Sequence, residues 1–114
     1  LKLQYSESEE KLQKNCVKWF NAQYPKMRGL LNYNLNNSKH KIDGAKNKAL
    51  GLIAGRSDMV LYRGGVATMI EFKIRDGTQS ELQKEWQKII EKENFEYYII
   101  RDLDSFINLI RRKI

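Results

Sequence analysis

The 114-residue chain predicts an α/β domain, a mixed central sheet flanked by helices. Two observations lead there. Two β-rich runs, residues 58–62 and 66–74, flank Gly64-Gly65, and glycine supplies the positive φ that tight hairpin turns require. Apolar residues recur at helical spacing in three other stretches. The resulting order is helix, strand, short helix, strand, strand, helix, strand, helix.

Residues 6 to about 24 read as an amphipathic helix with Ser6 at its N-cap and Leu12, Cys16, Val17, Trp19 and Phe20 at helical spacing. On a helical wheel Glu9 falls in the middle of that stripe, among Leu12, Cys16 and Phe20. A carboxylate there either closes a Ser6-x-x-Glu9 capping box or reaches from the core into a site, and Gln13 follows on the same face. Pro25 ends the helix, because it has no N–H to donate and restricts the residue before it. Residues 30–35 can form a strand in which Leu31, Tyr33 and Leu35 alternate with Asn32 and Asn34. Residues 36–43, with His40 among them, are polar and read as a loop. Residues 45–52 read as a short helix, followed by a Gly55-Arg56-Ser57 turn into the strand that Asp58 heads.

After the hairpin, Asp76-Gly77 signals a turn and Thr78-x-x-Glu81 a capping box that opens a helix to about residue 93. Leu82, Trp86, Ile89, Ile90 and Glu93 trace its inner stripe, with Gln79 and Gln83 on the flank. Asn94 can cap that helix, and residues 95–100 are β-rich. Asp102 or Asp104 starts a last helix through Phe106, Ile107, Ile110 and Ile114. With 41% hydrophobic and 31% charged residues, and no repeat or linker, residues 1–114 are expected to form a single domain.

Composition narrows the chemistry. The one cysteine, Cys16, excludes an internal disulfide and fits a reducing compartment. No apolar run approaches transmembrane length and the polar first ten residues are not a signal peptide, so a soluble intracellular protein is expected. Position 1 is Leu rather than Met, which points to residues missing before it. A single His leaves little for His-metal nuclease sites, zinc hydrolases or Ser-His-Asp triads. Neither a P-loop nor a Gly-rich dinucleotide fingerprint is present, so no nucleotide cofactor is expected. The net charge of +7 is concentrated: residues 26–56 carry seven basic side chains (Lys26, Arg28, Lys39, Lys41, Lys46, Lys48, Arg56) against Asp43 alone. A solvated lysine-rich face is one reading; a surface for a phosphate backbone is the other.

The chemistry-bearing stretch is the hairpin itself. Side chains alternate along a strand, so Ile70, Phe72 and Ile74 share one face while Met69, Glu71 and Lys73 share the other. Asp58 enters from the head of the first strand. Two carboxylates brought together repel unless a cation lies between them, which suits Mg²⁺ or Mn²⁺, hard ions that take oxygen ligands. A neighbouring lysine can then stabilise developing negative charge or orient and deprotonate an attacking water. The Asp, Glu-x-Lys pattern is unspecific on its own, since surface strands often alternate charged and apolar residues.

In sequence order, Glu9 with Gln13, residues 48–58 ending in Gly55-Arg56-Ser57-Asp58, then Ile70-Glu71-Phe72-Lys73, then residues 79–86 with Gln79 and Gln83, resemble the PD-(D/E)xK (restriction-endonuclease-like) nuclease core. Within it they resemble the VRR-Nuc group, the virus-type replication-repair nucleases, along almost the whole chain. The resemblance implies that Asp58 and Glu71 bind a divalent metal, Mg²⁺ or Mn²⁺, with the Phe72 main-chain carbonyl. It implies that Lys73 acts on the attacking water or the transition-state charge, that Glu9 adds a carboxylate beside the metal, and that Gln83 lies in the site. Ser57 stands where the family usually has Pro, a departure expected to loosen the turn without removing a ligand. Small standalone members look like phage or bacterial homodimers that cut branched DNA such as Holliday junctions.

The expected function is therefore a metal-dependent endodeoxyribonuclease, with Lys39, Lys41, Lys46, Lys48 and Arg56 holding DNA and a twofold dimer supplying two sites for symmetric cutting. The alternative is a non-catalytic nucleic-acid-binding module that keeps the nuclease fold. A basic RNA-binding protein is a second rival, but the chain lacks the glycine-spaced aromatic platforms common in such modules.

Overall fold

The computed structural model describes residues 8–34 and 41–114. Helix α1 (Glu9–Gln23) is capped by Ser8, whose hydroxyl accepts the Lys11 N–H at 3.0 Å. The Ser6-x-x-Glu9 capping box is thus not what starts this helix: Glu9 is its first residue, too early to fold back on an N-cap amide, and Ser6 itself lies outside the described residues. Leu12, Cys16 and Phe20, one turn apart, are the buried stripe, and the chain leaves through a short 3-10 turn at Pro25–Met27.

Strand β1 (Leu31–Tyr33) follows; Leu35, expected to extend it, falls outside the described residues. Helix α2 (Lys41–Ala49) begins within the stretch read from sequence as loop. Gly44 in its interior costs only about 1 kcal/mol relative to alanine, too little to stop the helix there. Its end is set by Gly51, at φ +104, and by the Leu52 N–H returning to the Asn47 carbonyl at 2.8 Å.

Strands β2 (Met59–Arg63) and β3 (Val66–Phe72) form the expected hairpin, antiparallel, with Met59 opposite Ile70 and Arg63 opposite Val66. Helix α3 (Glu81–Lys92) starts at a capping box, but one built from Ser80 and Gln83 rather than Thr78 and Glu81. Asn94 adopts a left-handed conformation just past its end, and β4 (Glu96–Ile100) then runs parallel to β3. Asp102, not Asp104, caps α4 (Leu103–Lys113) by accepting the Ser105 N–H at 2.7 Å.

The four strands lie in the order β1-β2-β3-β4, a mixed sheet between two helical layers. On one face α1 and α4 bring Leu12, Phe20, Phe106 and Ile110 against Met59, Leu61, Ile70 and Phe72. Each such fully buried side chain contributes about 1.5–3 kcal/mol. On the other face Trp86 and Ile90 of α3 cover Val60, Met69 and Tyr97.

Helix α3 is rotated relative to the stripe read from its sequence. Leu82 and Ile89 are 53% and 61% exposed, and Trp86 and Ile90 alone reach the apolar layer. At 100° per residue, Gln83 and Gln87 lie on the far side of Trp86 from Leu82 and Ile89, while Gln79 precedes the helix. Turning the helix that way brings Gln87 to Gln79, whose amide reaches the buried Glu71, and leaves the two aliphatic side chains outside. Among the described residues no helix is long and apolar enough to cross a membrane.

Candidate active site

Asp58 and Glu71 meet because the hairpin register puts them side by side. Pairing of β2 with β3 ends at Met59 opposite Ile70, and one step beyond it the Asp58 carboxylate accepts the Phe72 N–H at 2.7 Å. The turn that aims Asp58 is pinned at several points. Ser57 is fully buried and donates its hydroxyl to the Met59 carbonyl at 3.1 Å. The Asn34 side chain donates to the Ser57 carbonyl at 3.1 Å, and the Asn34 N–H to that of Asp58 at 2.8 Å. These bonds hold the turn where a proline was expected, so the substitution does not leave it loose. Gly55, at φ +86, lies so close to α3 that a Cβ would come within 2.6 Å of the Leu82 carbonyl group. Only glycine lets this turn rest on the start of α3.

Glu71 is completely buried. Its Oε1 accepts hydrogen bonds from the Tyr97 hydroxyl and from the Gln79 amide at 3.1 Å. Gln79 also donates to Gln87 at 2.8 Å, and Gln87 to Glu91 at 3.1 Å, so the carboxylate is anchored through α3 to its exposed face. Oε2 has no hydrogen-bond partner. Lys73, only 11% exposed, brings its ammonium to 3.7 Å from that oxygen. Burial and the Glu71 carboxylate together push the Tyr97 hydroxyl's pKa far up, so it stays protonated and acts as donor.

Burial raises the Asp58 pKa above its ordinary 3.8, the Phe72 N–H opposes this, and the charges of Glu71 and Glu9 push it further up, with Lys73 opposing. The folded state therefore binds this proton more tightly than the unfolded chain. Its contribution to stability is present below pH 3.8 and is lost as pH climbs through the raised folded value. Asp58→Asn is expected to remove this loss. Between pH 4 and 7, its melting temperature should fall less with rising pH than the wild type's in differential scanning fluorimetry; an equal or steeper fall would contradict the assignment.

Glu9 lines a cleft of about 600 Å³ together with Gln13 and Asp58, and its carboxylate lies beside the Gly77 turn. It does not complete a cage: among the described residues no three His, Cys, Asp or Glu side chains converge as a ready metal-binding group. The donor set nevertheless fits a divalent cation. A buried carboxylate oxygen lacks a hydrogen bond, a second carboxylate next to it has its pKa raised by burial and then by like charge, and hard oxygen donors are what Mg²⁺ and Mn²⁺ take.

The other expected site residues are distributed unevenly. Gln83 spends its side-chain oxygen on the Ser80 N–H at 2.8 Å; Gln79, one turn earlier, is the glutamine that touches Glu71. Lys46 and Lys48 are exposed on α2, and Arg56 lines a second cleft with Asn34 and Asn47. Lys39 and the Lys41 side chain lie outside the described residues. Tyr97 is the contact that the sequence reading missed. Alternation along β4 separates Tyr97 and Ile99 from Tyr98 and Ile100, but only the parallel register, Glu71 beside Ile99, brings Tyr97 to Glu71.

No family model matches the chain, and no curated protein is significantly similar to it. Among solved structures, a protein described as a VRR_NUC domain protein superposes with a TM-score of 0.78 at 22% identity, over 96% of this chain and 89% of that one. With its helix-flanked mixed sheet, the chain has the fold of a VRR-Nuc domain.

Proposed function

We propose that this protein is a divalent-metal-dependent endodeoxyribonuclease that hydrolyses phosphodiester bonds with water as nucleophile, selectively on branched DNA such as Holliday junctions. One observation carries the reading: a fully buried glutamate presents an oxygen without a hydrogen bond between a lysine and a second carboxylate. Burying such a group costs stability unless something binds it. Asp58, Glu71 and the Phe72 carbonyl, with Glu9 in the cleft that Asp58 lines, would hold Mg²⁺ or Mn²⁺, which when bound polarises the phosphate and acidifies water.

The chain's own side chains then divide the work. Tyr97 and Gln79 fix Glu71 through Oε1 and leave Oε2 facing Lys73. Lys73 lies in a nearly dry position, where a charge counts for more than in water. There it can meet the negative charge that builds on the phosphate or hold the attacking water and its proton. Lys46, Lys48 and Arg56 supply cations for the DNA backbone. One such centre per chain and two strands to cut favour a twofold dimer.

The test is to incubate the purified chain with a labelled four-way junction and a matched linear duplex in Mg²⁺, Mn²⁺ or EDTA. Metal-dependent cutting of the junction, and not of the duplex, is the expected result. Cutting of both would keep the nuclease and remove the branch selectivity. Salt-sensitive binding without cutting in either metal would favour the non-catalytic module.

A further inference from the structure

Tyr33 stands out among the exposed aromatic residues because of what surrounds it. It sits on β1, the edge strand, opposite Met59, whose side chain is in the core; yet Tyr33 itself is 65% exposed. It lines two clefts at once. One, of about 600 Å³, contains Asp58 and the lysines Lys14 and Lys18, one turn apart on α1. The other, of about 410 Å³, contains Arg56 and Asn47. The ring is the element common to the catalytic cleft and to a second cleft with its own cation.

An aromatic face left in water next to cations is suited to a nucleobase, since every base offers a π-face and stacking is tolerant of sequence. Within a duplex those faces are already stacked on neighbouring pairs and cannot reach a protein ring; an unpaired base can. Lys14 pairs with Glu10 at 3.0 Å, but both are well exposed, and such surface pairs are weak enough to exchange for a phosphate. Because Asp58 shares the cleft, a nucleotide stacked on Tyr33 would lie beside the phosphate to be cut.

We propose that Tyr33 is a stacking platform for a DNA base that has lost its partner, with the two clefts taking the strands that diverge from it. The proposal rests on the nuclease reading for what is cut, and it defines the substrate class as DNA that presents an unpaired nucleotide next to the scissile phosphate, at a fork or by opening a pair at the branch point of a four-way junction. It also gives branch selectivity a physical basis that does not depend on reading sequence.

The experiment uses forked DNA carrying 2-aminopurine at each unpaired position in turn near the branch, and a fully paired duplex carrying it at the same position. Binding and fluorescence are followed in EDTA for the full chain and for Tyr33→Ala and Tyr33→Phe. With wild type and Tyr33→Phe, emission from one unpaired position should be quenched on binding. With Tyr33→Ala the quenching should vanish and fork affinity should drop roughly 5- to 150-fold, with duplex affinity unchanged. Equal weakening of fork and duplex, absence of quenching at every position, or an unaffected fork affinity would each overturn the platform. Because these readouts need no cleavage, quenching without cutting in Mg²⁺ or Mn²⁺ would leave the platform standing and remove the nuclease.

Discussion

Glu71→Gln is expected to reduce DNA cleavage by more than about 10³-fold while leaving the protein, in EDTA, close to wild type in stability. The two effects come from the same oxygen. Gln keeps the shape of Glu71 and keeps an acceptor for the Tyr97 hydroxyl and the Gln79 amide. It removes the buried charge at the position where Oε2 has no hydrogen bond, and it relieves the repulsion that helps raise the Asp58 pKa. The charge it removes is paired only at 3.7 Å with Lys73, which keeps partial access to water, so losing the pair costs little once the carboxylate's own burial penalty is gone. The chemistry, however, loses a hard anionic ligand worth several kcal/mol of transition-state stabilisation. Cleavage rates and thermal melts of the two proteins side by side check both halves. Cleavage within tenfold of wild type, or a clearly lower melting temperature, would show that Glu71 is a structural residue instead.

Lys73→Ala should lose in both respects. Cleavage is expected to fall about 10²–10⁴-fold, the usual worth of a positioned proton-transfer or charge-stabilising group. Stability should fall as well, by up to about 3–5 kcal/mol, because the change removes the only cation paired with a fully buried carboxylate among the described residues. The double variant Glu71→Gln/Lys73→Ala separates the causes. If the stability loss in Lys73→Ala comes from the stranded carboxylate, the double variant regains most of it in urea denaturation and remains inactive. A double variant as unstable as Lys73→Ala would assign the loss to packing of the lysine stem rather than to charge.

Much of this site can be read from local chemistry. Gly64-Gly65 between two β-rich runs makes a hairpin, and alternation from Ile70 to Lys73 puts Glu71 and Lys73 on one face. Leu12, Cys16 and Phe20 as a buried stripe follow from spacing in the same way. The caps of α1 and α3 were harder. Each has two competing residues within two positions, Ser6 or Ser8 and Thr78 or Ser80, as α4 has Asp102 or Asp104, and local propensity does not rank them.

What the sequence by itself determined, then, is the element order, the hairpin and the Asp58, Glu71, Lys73 set, because turns, alternation and strand neighbours act over a few residues. The tertiary structure alone decided that Glu71 is anchored by Tyr97, 26 residues away, and by Gln79 rather than Gln83. It also decided that Leu82 and Ile89 face outward and that Tyr33 borders two clefts. Those outcomes depend on the parallel register of β3 with β4 and on the rotation of α3 over the sheet. Both are set by how whole elements share a buried layer that must also satisfy a buried carboxylate.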